Sequence, residues 1–182
     1  MSSTRCNAIR IAGLVGDSIV DGPGLRFAVF VQGCPHNCAG CHNPHTHDPQ
    51  GGRLEQTQNV IEQISKNPLL DGVTLTGGEP FLQAKELTPI AKYAKENGLD
   101  VLIYTGYLWE ELAADNDPDC LELLACADIL IDGRFVLEKR RLSMPYRGSE
   151  NQRIINVRKS LEQGRAVVYN VDCNGNLTDL VV

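Results

Sequence analysis

Three cysteines within eight positions are the residues of this sequence best suited to chemistry. Cys34, Cys38 and Cys41 form a C-x3-C-x2-C pattern, and Gly33 and Gly40 directly precede the first and the third of them. A cubane iron–sulfur cluster has four irons, so three thiolates leave one iron without a protein ligand. Open metal positions are typical of catalytic sites, and glycine lets a short loop bend around a bulky core. The pattern therefore favours a reactive cluster over a structural one.

The same stretch of sequence also allows a different metal. All four histidines of the chain lie in it, namely His36, His42, His45 and His47. Clustered cysteine and histidine residues also bind zinc, so a site of three cysteines and one histidine is an alternative. The spacing differs from the usual pair of C-x2-C knuckles, and no second knuckle follows. On these residues alone, both metals stay open.

Length, charge and cysteine use restrict the class of protein. A chain of 182 residues is expected to form one domain, 1–182, and its net charge of −6 argues against nucleic acid as a partner. It has no apolar run of about 18 residues and no signal-peptide core, so we expect a cytoplasmic protein without a membrane span. Thiols stay reduced in that compartment, where clustered cysteines indicate metal ligands. The scattered Cys6, Cys120, Cys126 and Cys173 are expected to be buried or incidental thiols.

Apolar runs and helical spacings alternate along the chain. The runs predict strands at 9–11, 27–31, 73–76, 101–104 and 129–131. Between them the pattern predicts helices, with Thr57 as one cap, Thr88-Pro89 as a second start and Asp117-Pro118 as a third. This alternation is typical of an α/β fold with a parallel sheet. A full eight-fold barrel needs about 250 residues, so we expect an incomplete open barrel of about five to six parallel strands.

Four consecutive strand ends carry residues suited to a site, because ligands of such folds bind at the carboxyl ends of the strands. They are the cysteine loop, Gly77-Gly78-Glu79-Pro80, Tyr104-Thr105-Gly106 and Asp132-Gly133. For the glycine pair alone, a plain turn is the better interpretation, although glycines also let a ligand approach the backbone. Glu79 would accept hydrogen bonds from an amine or would simply be solvated.

Three further features have competing interpretations. Arg26 is either a charge near the cluster or an ordinary arginine at the start of a strand. Residues 147–153 are either a solvated loop or part of a partner-binding face. Trp109 is expected to pack in the core.

Several of these motifs together resemble a known superfamily. The C-x3-C-x2-C pattern and Gly-Gly-Glu-Pro are similar to those of radical S-adenosylmethionine enzymes, and residues 21–43 resemble the signature of glycyl-radical-activating enzymes. More narrowly, residues 33–36, 41–44, 104–107, 132–135 and 147–153 resemble activating proteins of anaerobic ribonucleoside-triphosphate reductases. The resemblance runs from about residue 13 to residue 156. His47 departs from it, since the family usually has tryptophan there.

The resemblance implies a set of cofactors and ligands. Cys34, Cys38 and Cys41 would hold one 4Fe-4S cluster, and S-adenosylmethionine would bind its open iron. The residues implied to bind this second cofactor are Gly40, Cys41, His42, Gly77, Gly78 and Glu79, with Thr105 and Asp132 touching the ribose or the substrate peptide. Cleavage of S-adenosylmethionine would give a 5′-deoxyadenosyl radical that abstracts hydrogen from a glycine.

The resemblance also implies partners. They are the large subunit of the reductase and a flavodoxin-like or other low-potential electron donor, with a homodimer allowed. A close alternative is an activating enzyme of another glycyl-radical enzyme, such as pyruvate formate-lyase. The alternatives from other classes are a non-enzymatic zinc or iron–sulfur binding module and an electron carrier. Residues 159–182 form an extension without a matching motif, with Asn174-Gly175 indicating a hairpin turn.

Overall fold

A mixed sheet organises the described part of the chain, which in this computed structural model comprises residues 7–141, 143–172 and 175–179. Its strands are β1 (Ala8–Ser18), β2 (Arg26–Val31), β3 (Arg53–Gln56), β4 (Gly72–Gly77), β5 (Asp100–Tyr104), β6 (Ile129–Asp132) and β7 (Arg153–Asn156). They lie in the order β3-β1-β2-β4-β5-β6-β7. The helices are α1 (Thr57–Ser65), α2 (Ala84–Glu96), α3 (Trp109–Ala113), α4 (Pro118–Cys126) and α5 (Val157–Gln163). A separate hairpin pairs β8 (Tyr169–Val171) with β9 (Leu177–Asp179).

The centre of the sheet is parallel, as the alternating pattern predicted. Strands β2, β4, β5 and β6 pair in parallel, whereas β1, β3 and β7 join by antiparallel pairing. In the described residues, four neighbouring strands are therefore parallel, and the expected count of five to six was wrong. The difference arises because β1 is a long strand that returns directly into β2, and β7 returns beside β6 without a crossover.

The two faces of the sheet bury different partners. One face packs against the helices through an apolar core that includes Val29, Leu75 and Ile103. On the other face, Phe30, Thr76 and Tyr104 lie side by side on β2, β4 and β5. This second face also carries a smaller apolar cluster, against which Tyr169, Val171 and Leu177 of the β8–β9 hairpin pack.

Local capping differs from two of the sequence predictions. Thr57 is the first residue of α1 rather than its cap, and its hydroxyl donates to the carbonyl of Glu86 at 3.3 Å. Helix α2 begins at Ala84, so Thr88 and Pro89 lie inside it, and the Thr88 hydroxyl donates to the Ala84 carbonyl at 2.8 Å. A short 3-10 turn before α2 already sets the helix direction, which removes the need for a cap at Thr88.

Other predictions are confirmed. Asp117 caps α4 with its side chain, and Trp109 is buried in the core. The first strand is longer than the predicted 9–11, because β1 extends from Ala8 to Ser18. Cys120 is buried, whereas Cys6, Cys173 and Asn174 lie outside the described residues. Within the described residues, we find no helix with the length and apolar character needed to cross a membrane.

Candidate functional site

The cysteine loop leaves β2 at its carboxyl end and returns to the sheet edge after one excursion. Two backbone hydrogen bonds close its base, from the amide of Gly33 to the carbonyl of Thr46 at 2.8 Å and from Cys34 to His47 at 3.2 Å. Gly40 has φ +71°, and a side chain there would come within 2.8 Å of Leu137. The positive φ favours glycine between Cys38 and Cys41, and a side chain there would also displace the exposed end of Leu137.

The three cysteines line one cavity of about 110 Å³. Gly77 and Gly78 at the end of β4 line the same cavity, as does Thr105 after β5. The remaining lining residues are His36, His47, Thr76, Tyr104, Gly106, Gly133, Phe135 and Gln152. The structure thus brings the predicted cluster ligands and the predicted glycine pair into the lining of one cavity.

The glycine pair is needed by the cysteine loop itself. A side chain on Gly78 would lie 2.3 Å from the carbonyl oxygen of Gly33, and one on Gly77 would lie 2.8 Å from the backbone of Val31. Gly77 also has φ +94°, and the amide of Glu79 donates to the Gly33 carbonyl at 2.8 Å. The pair is therefore a close-approach element, and the backbone that it lets approach belongs to the base of the cysteine loop.

Glu79 is completely buried, so the interpretation of a solvated glutamate was wrong. Its Oε1 accepts hydrogen bonds from the Thr105 hydroxyl at 2.9 Å and from the Phe81 amide at 3.2 Å. Its Oε2 accepts from the Gly106 amide and from Nε2 of His36, each at 2.9 Å. Each oxygen therefore already accepts two hydrogen bonds from the protein, and contact of Glu79 with a ligand amine stays a prediction.

His36 lies in a socket formed by two residues after β5. Its ring is 4.6 Å from that of Tyr107 in an edge-on arrangement. A side chain on Gly106 would come within 2.2 Å of the imidazole, so glycine is required there. Sequence analysis placed His36 among the zinc alternatives and within the 33–36 motif, but it did not predict these contacts. The signal was present in the two short motifs, Cys-Pro-His and Tyr-Thr-Gly-Tyr, whose members meet here.

Asp132 lies behind the cavity rather than in its wall. It is fully buried, and its carboxylate accepts hydrogen bonds from the Trp109 amide at 2.8 Å and from the guanidinium of Arg153. Arg153 also pairs with Glu110, and both hydrogen-bonded carboxylates raise the pKa of its guanidinium. The neighbouring Gly133 lines the cavity instead. Asp132 thus orients Arg153 in this structure, and its expected contact with ribose or peptide stays a prediction.

A second, larger cavity of about 540 Å³ adjoins the first along the open face of the sheet. The two share Cys41, Thr76, Tyr104, Phe135 and Gln152 as lining residues. His42 lines only the larger cavity and packs against the ring of Phe135 at 5.1 Å. Arg147 and Gly148 of the 147–153 loop also line it, which brings that loop to the site.

Burial shapes the electrostatics of the site. It raises the pKa of the Cys34 thiol, and the nearby Glu79 carboxylate adds to this rise. Burial also raises the pKa of Tyr104, so its hydroxyl stays neutral. Among the described residues, no three His, Cys, Asp or Glu side chains converge closely enough for a single metal ion.

Comparison with known proteins places these features in a family. A family model described as a 4Fe-4S single cluster domain matches residues 20–155, so the chain belongs to that class of iron–sulfur proteins. The chain is 33% identical over 144 residues to the anaerobic ribonucleoside-triphosphate reductase-activating protein of Enterobacteria phage T4, covering 74% of this chain and 86% of that protein. It is 36% identical over 144 residues to the protein of that name from Haemophilus influenzae, covering 74% and 89%.

The chain therefore belongs to the family of anaerobic ribonucleoside-triphosphate reductase-activating proteins. A more distant match in coverage is the pyruvate formate-lyase-activating enzyme of Clostridium pasteurianum. It is 37% identical over 123 residues, which cover 63% of this chain and 52% of that enzyme.

Proposed function

We propose that this chain activates an anaerobic ribonucleoside-triphosphate reductase by reductive cleavage of S-adenosylmethionine at a 4Fe-4S cluster. The observation that carries the proposal is the shared cavity, because Cys34, Cys38 and Cys41 line it together with Gly77 and Gly78. A cofactor that bridges a cluster and a strand end needs the cluster ligands and that strand end to line the same cavity. The alignment covers most of the length of both relatives, and their names supply the reductase as the target.

Three cysteine ligands and one open iron are proposed for the cluster. When bound, the cluster supplies the electron that breaks the S–C5′ bond of S-adenosylmethionine, which leaves methionine and a 5′-deoxyadenosyl radical. Gly77 and Gly78 would offer backbone to the amino acid end, and Cys41 and His42 would flank the adenosine end, with Gly40 keeping the loop free of a side chain there. Thr105 lines the cavity but donates its hydroxyl to Glu79, so we assign both residues to support.

The larger cavity is the proposed entrance for the target. We propose that the parallel strands curve as an incomplete open barrel, with Phe30, Thr76 and Tyr104 facing its interior. A volume of about 540 Å³ on the open face suits a peptide loop that presents a glycine to the radical. Arg147, whose pKa is lowered by burial, lines this entrance and would contact the backbone of the reductase loop.

An acidic one-electron carrier is the proposed reductant. Residues 134–141 contain four Lys or Arg and one Glu in a chain of net charge −6. Arg134, Lys139 and Arg140 are exposed, and within the described residues none of the three is in a salt bridge. The segment contacts the cysteine loop, because Leu137 packs against Gly40. Unpaired cations next to the cluster would steer an acidic donor such as a flavodoxin-like protein to it.

Salt dependence tests the proposed donor surface. The double variant Lys139→Glu, Arg140→Glu is expected to slow cluster reduction by a flavodoxin about tenfold or more at low salt, with a smaller difference at high salt. The matched control is Arg158→Glu, an exposed arginine on α5. Reduction by dithionite should be equal in all variants. Equal rates with flavodoxin would remove this surface from the proposal.

The main experiment is anaerobic reconstitution with iron and sulfide, followed by reductant and S-adenosylmethionine. We expect about four irons per chain, formation of 5′-deoxyadenosine, and an electron paramagnetic resonance (EPR) signal of a glycyl radical once the reductase large subunit is added. Pyruvate formate-lyase in place of the reductase is the control target. A radical on pyruvate formate-lyase but not on the reductase would favour the alternative activase.

Two results would overturn the proposal more deeply. A protein that holds its cluster but forms no 5′-deoxyadenosine would be an electron carrier or a structural module. Uptake of zinc without formation of a cluster would remove the assignment of Cys34, Cys38 and Cys41. Both results are read before any partner protein is added, so they test the chemistry separately from the target.

A further inference from the structure

The side chain of His36 connects the cysteine loop to two strand ends at once. It is 4% exposed and reaches from the loop to Glu79, which is fully buried and directly follows the glycine pair. The same carboxylate is held by Thr105 and Gly106 after β5. Four residues from three segments thus form one polar hydrogen-bonded cluster, which we call the His36–Glu79 cluster (His36, Glu79, Thr105 and Gly106).

The His36–Glu79 cluster links the cysteine loop to the glycine pair, and the proposed chemistry depends on the distance between the two. His36 lies between Cys34 and Cys38, and Glu79 directly follows Gly78, so the hydrogen bond of 2.9 Å joins the cysteine loop to the residue after the glycine pair. The base of the loop is closed by the backbone bonds at Gly33 and Cys34. Those bonds hold the ends of the loop, whereas the imidazole holds the segment between the first two cysteines.

We infer that His36 is a positioning residue, which acts through Glu79 to hold the cluster-binding loop at a set distance from the Gly77-Gly78 edge. The inference rests on the proposed function, since it concerns how S-adenosylmethionine bridges the cysteine loop and the glycine pair. A cofactor bound to both is sensitive to their separation, because displacements of about 1 Å from the productive geometry can cost about a hundredfold in rate. Glu79 accordingly orients the loop and leaves amine binding to the backbone.

The close packing of Gly106 against the imidazole offers a second, independent way to disturb the His36–Glu79 cluster. Gly106 has no positive φ, so alanine there is compatible with the backbone, yet its side chain would lie 2.2 Å from the imidazole. Gly106→Ala therefore displaces His36 without removing any donor or acceptor. The matched control is Gly13→Ala, because a side chain at Gly13 meets no atom within 4 Å.

The test compares His36→Leu, His36→Gln and Gly106→Ala with the controls His45→Leu and Gly13→Ala. His45 is an exposed histidine of the same loop, and glutamine keeps an N–H donor in place of the imidazole. For each reconstituted protein we would measure iron and sulfide content, the dissociation constant of S-adenosylmethionine, and the change that this ligand causes in the EPR spectrum of the reduced cluster. Formation of 5′-deoxyadenosine is the last readout.

We expect His36→Leu and Gly106→Ala to keep their iron, to bind S-adenosylmethionine about tenfold more weakly, and to form 5′-deoxyadenosine about a hundredfold more slowly. The spectral change on ligand addition should be smaller in both, and His36→Gln should restore much of it. The two controls should match the wild type. A purely structural role would lower stability without altering the spectrum of the folded fraction.

Each other outcome is decisive. Wild-type affinity and spectrum in both His36→Leu and Gly106→Ala would overturn the inference while the proposed function stands. If His36→Leu cannot hold a cluster, His36→Gln decides, since failure of that variant too would show that the hydrogen bond is not what matters. A wild type that forms no 5′-deoxyadenosine refutes the proposed function instead. The iron content and the dissociation constants then distinguish failure of the proposed function from failure of the inference about His36.

Discussion

At the carboxyl ends of β2, β4 and β5 the buried charge is Glu79, and at the amino end of β2 it is Arg26. Both side chains are completely buried. Glu79 accepts four hydrogen bonds, three of them from groups more than 20 positions away in sequence. Arg26 donates from all three of its nitrogens, to Thr74, to Asp100 and to backbone carbonyls. The same device, a fully bonded buried ion, therefore occurs at both ends of the strands.

The difference lies in what each charge holds. Arg26 pairs with Asp100 and lies against Gly22, where a side chain would come within 2.7 Å of it, so it closes the amino end of the sheet. The strand-start interpretation of Arg26 is confirmed, and it lies at the opposite end of β2 from the cysteine loop. Glu79 instead holds a loop that is proposed to carry a cofactor. We therefore expect substitutions at the amino end to lower stability and substitutions at the carboxyl end to lower activity.

The largest effect is expected at the carboxyl end, for Cys38→Ala. It should reduce formation of 5′-deoxyadenosine to background, because a cluster with two protein ligands is not held. The free energy of unfolding of the metal-free protein should change little, since Cys38 is only half-buried in a loop. Product analysis and urea unfolding measure the two quantities. The control is Cys126→Ala in α4, and retained activity in Cys38→Ala would remove the three-thiolate proposal.

At the amino end, Arg26→Met should have the opposite profile. Removing one partner of a buried ion pair typically costs 3–5 kcal/mol, and we expect about 3 kcal/mol because Asp100 is partly exposed. Urea unfolding of the metal-free protein measures this loss. The rate of 5′-deoxyadenosine formation per folded molecule should stay that of the wild type. Lys92→Met, which breaks the exposed pair with Glu122, is the control and should leave stability unchanged.

A specific loss of activity in folded Arg26→Met would break the comparison between the two ends. It would mean that the charge of Arg26 influences the cluster across the length of the strand. The salt dependence of that loss would then be the next measurement, because long-range electrostatic effects between accessible groups are screened by salt.

Asp132→Asn sharpens the comparison at a third buried charge. The carboxylate accepts from Arg153 and from the Trp109 amide, and asparagine keeps only one acceptor oxygen for them. We expect a loss of about 1–3 kcal/mol in unfolding free energy and an unchanged dissociation constant for S-adenosylmethionine. Equilibrium dialysis checks the second value. Weaker binding at wild-type stability would restore Asp132 as a ribose ligand.

The sequence was informative about the centre of the sheet and less so about its edges. Continuous apolar runs identified β2, β4, β5 and β6, because strands buried on both faces have few polar residues. The edge strand β3 contains arginine, glutamate and glutamine, so its hydrophobic pattern is weak and it was missed. Pairing direction also depends on the connection, and the direct return of β1 into β2 has no signature in composition. These two facts explain the wrong count of parallel strands.

The site divides in a similar way. The cysteine spacing and the glycine pair could be noticed in the sequence, because both are short local motifs. The environment of Glu79 could not, since its partners His36, Thr105 and Gly106 lie 43, 26 and 27 positions away. A carboxylate looks the same in sequence whether it is solvated or bonded four times. The long-range contacts that decide between these states exist only after the sheet has formed.

The smallest effect is expected at the β8–β9 hairpin, which packs against the smaller apolar cluster of the sheet. The Tyr146 hydroxyl donates to the Gly175 carbonyl at 2.9 Å, and Tyr146 itself lines the larger cavity. Tyr146→Phe should destabilise the hairpin by about 1 kcal/mol, the usual net contribution of one neutral hydrogen bond. Hydrogen exchange of the β8 and β9 amides should accelerate about fivefold, while exchange in β4 stays constant, because local opening does not require global unfolding. Tyr93→Phe is the control, since it makes the same change on helix α2, away from the hairpin. Faster exchange in β4 as well would show that the hairpin and the parallel strands unfold as one unit, and the two ends of the sheet could then not be perturbed separately.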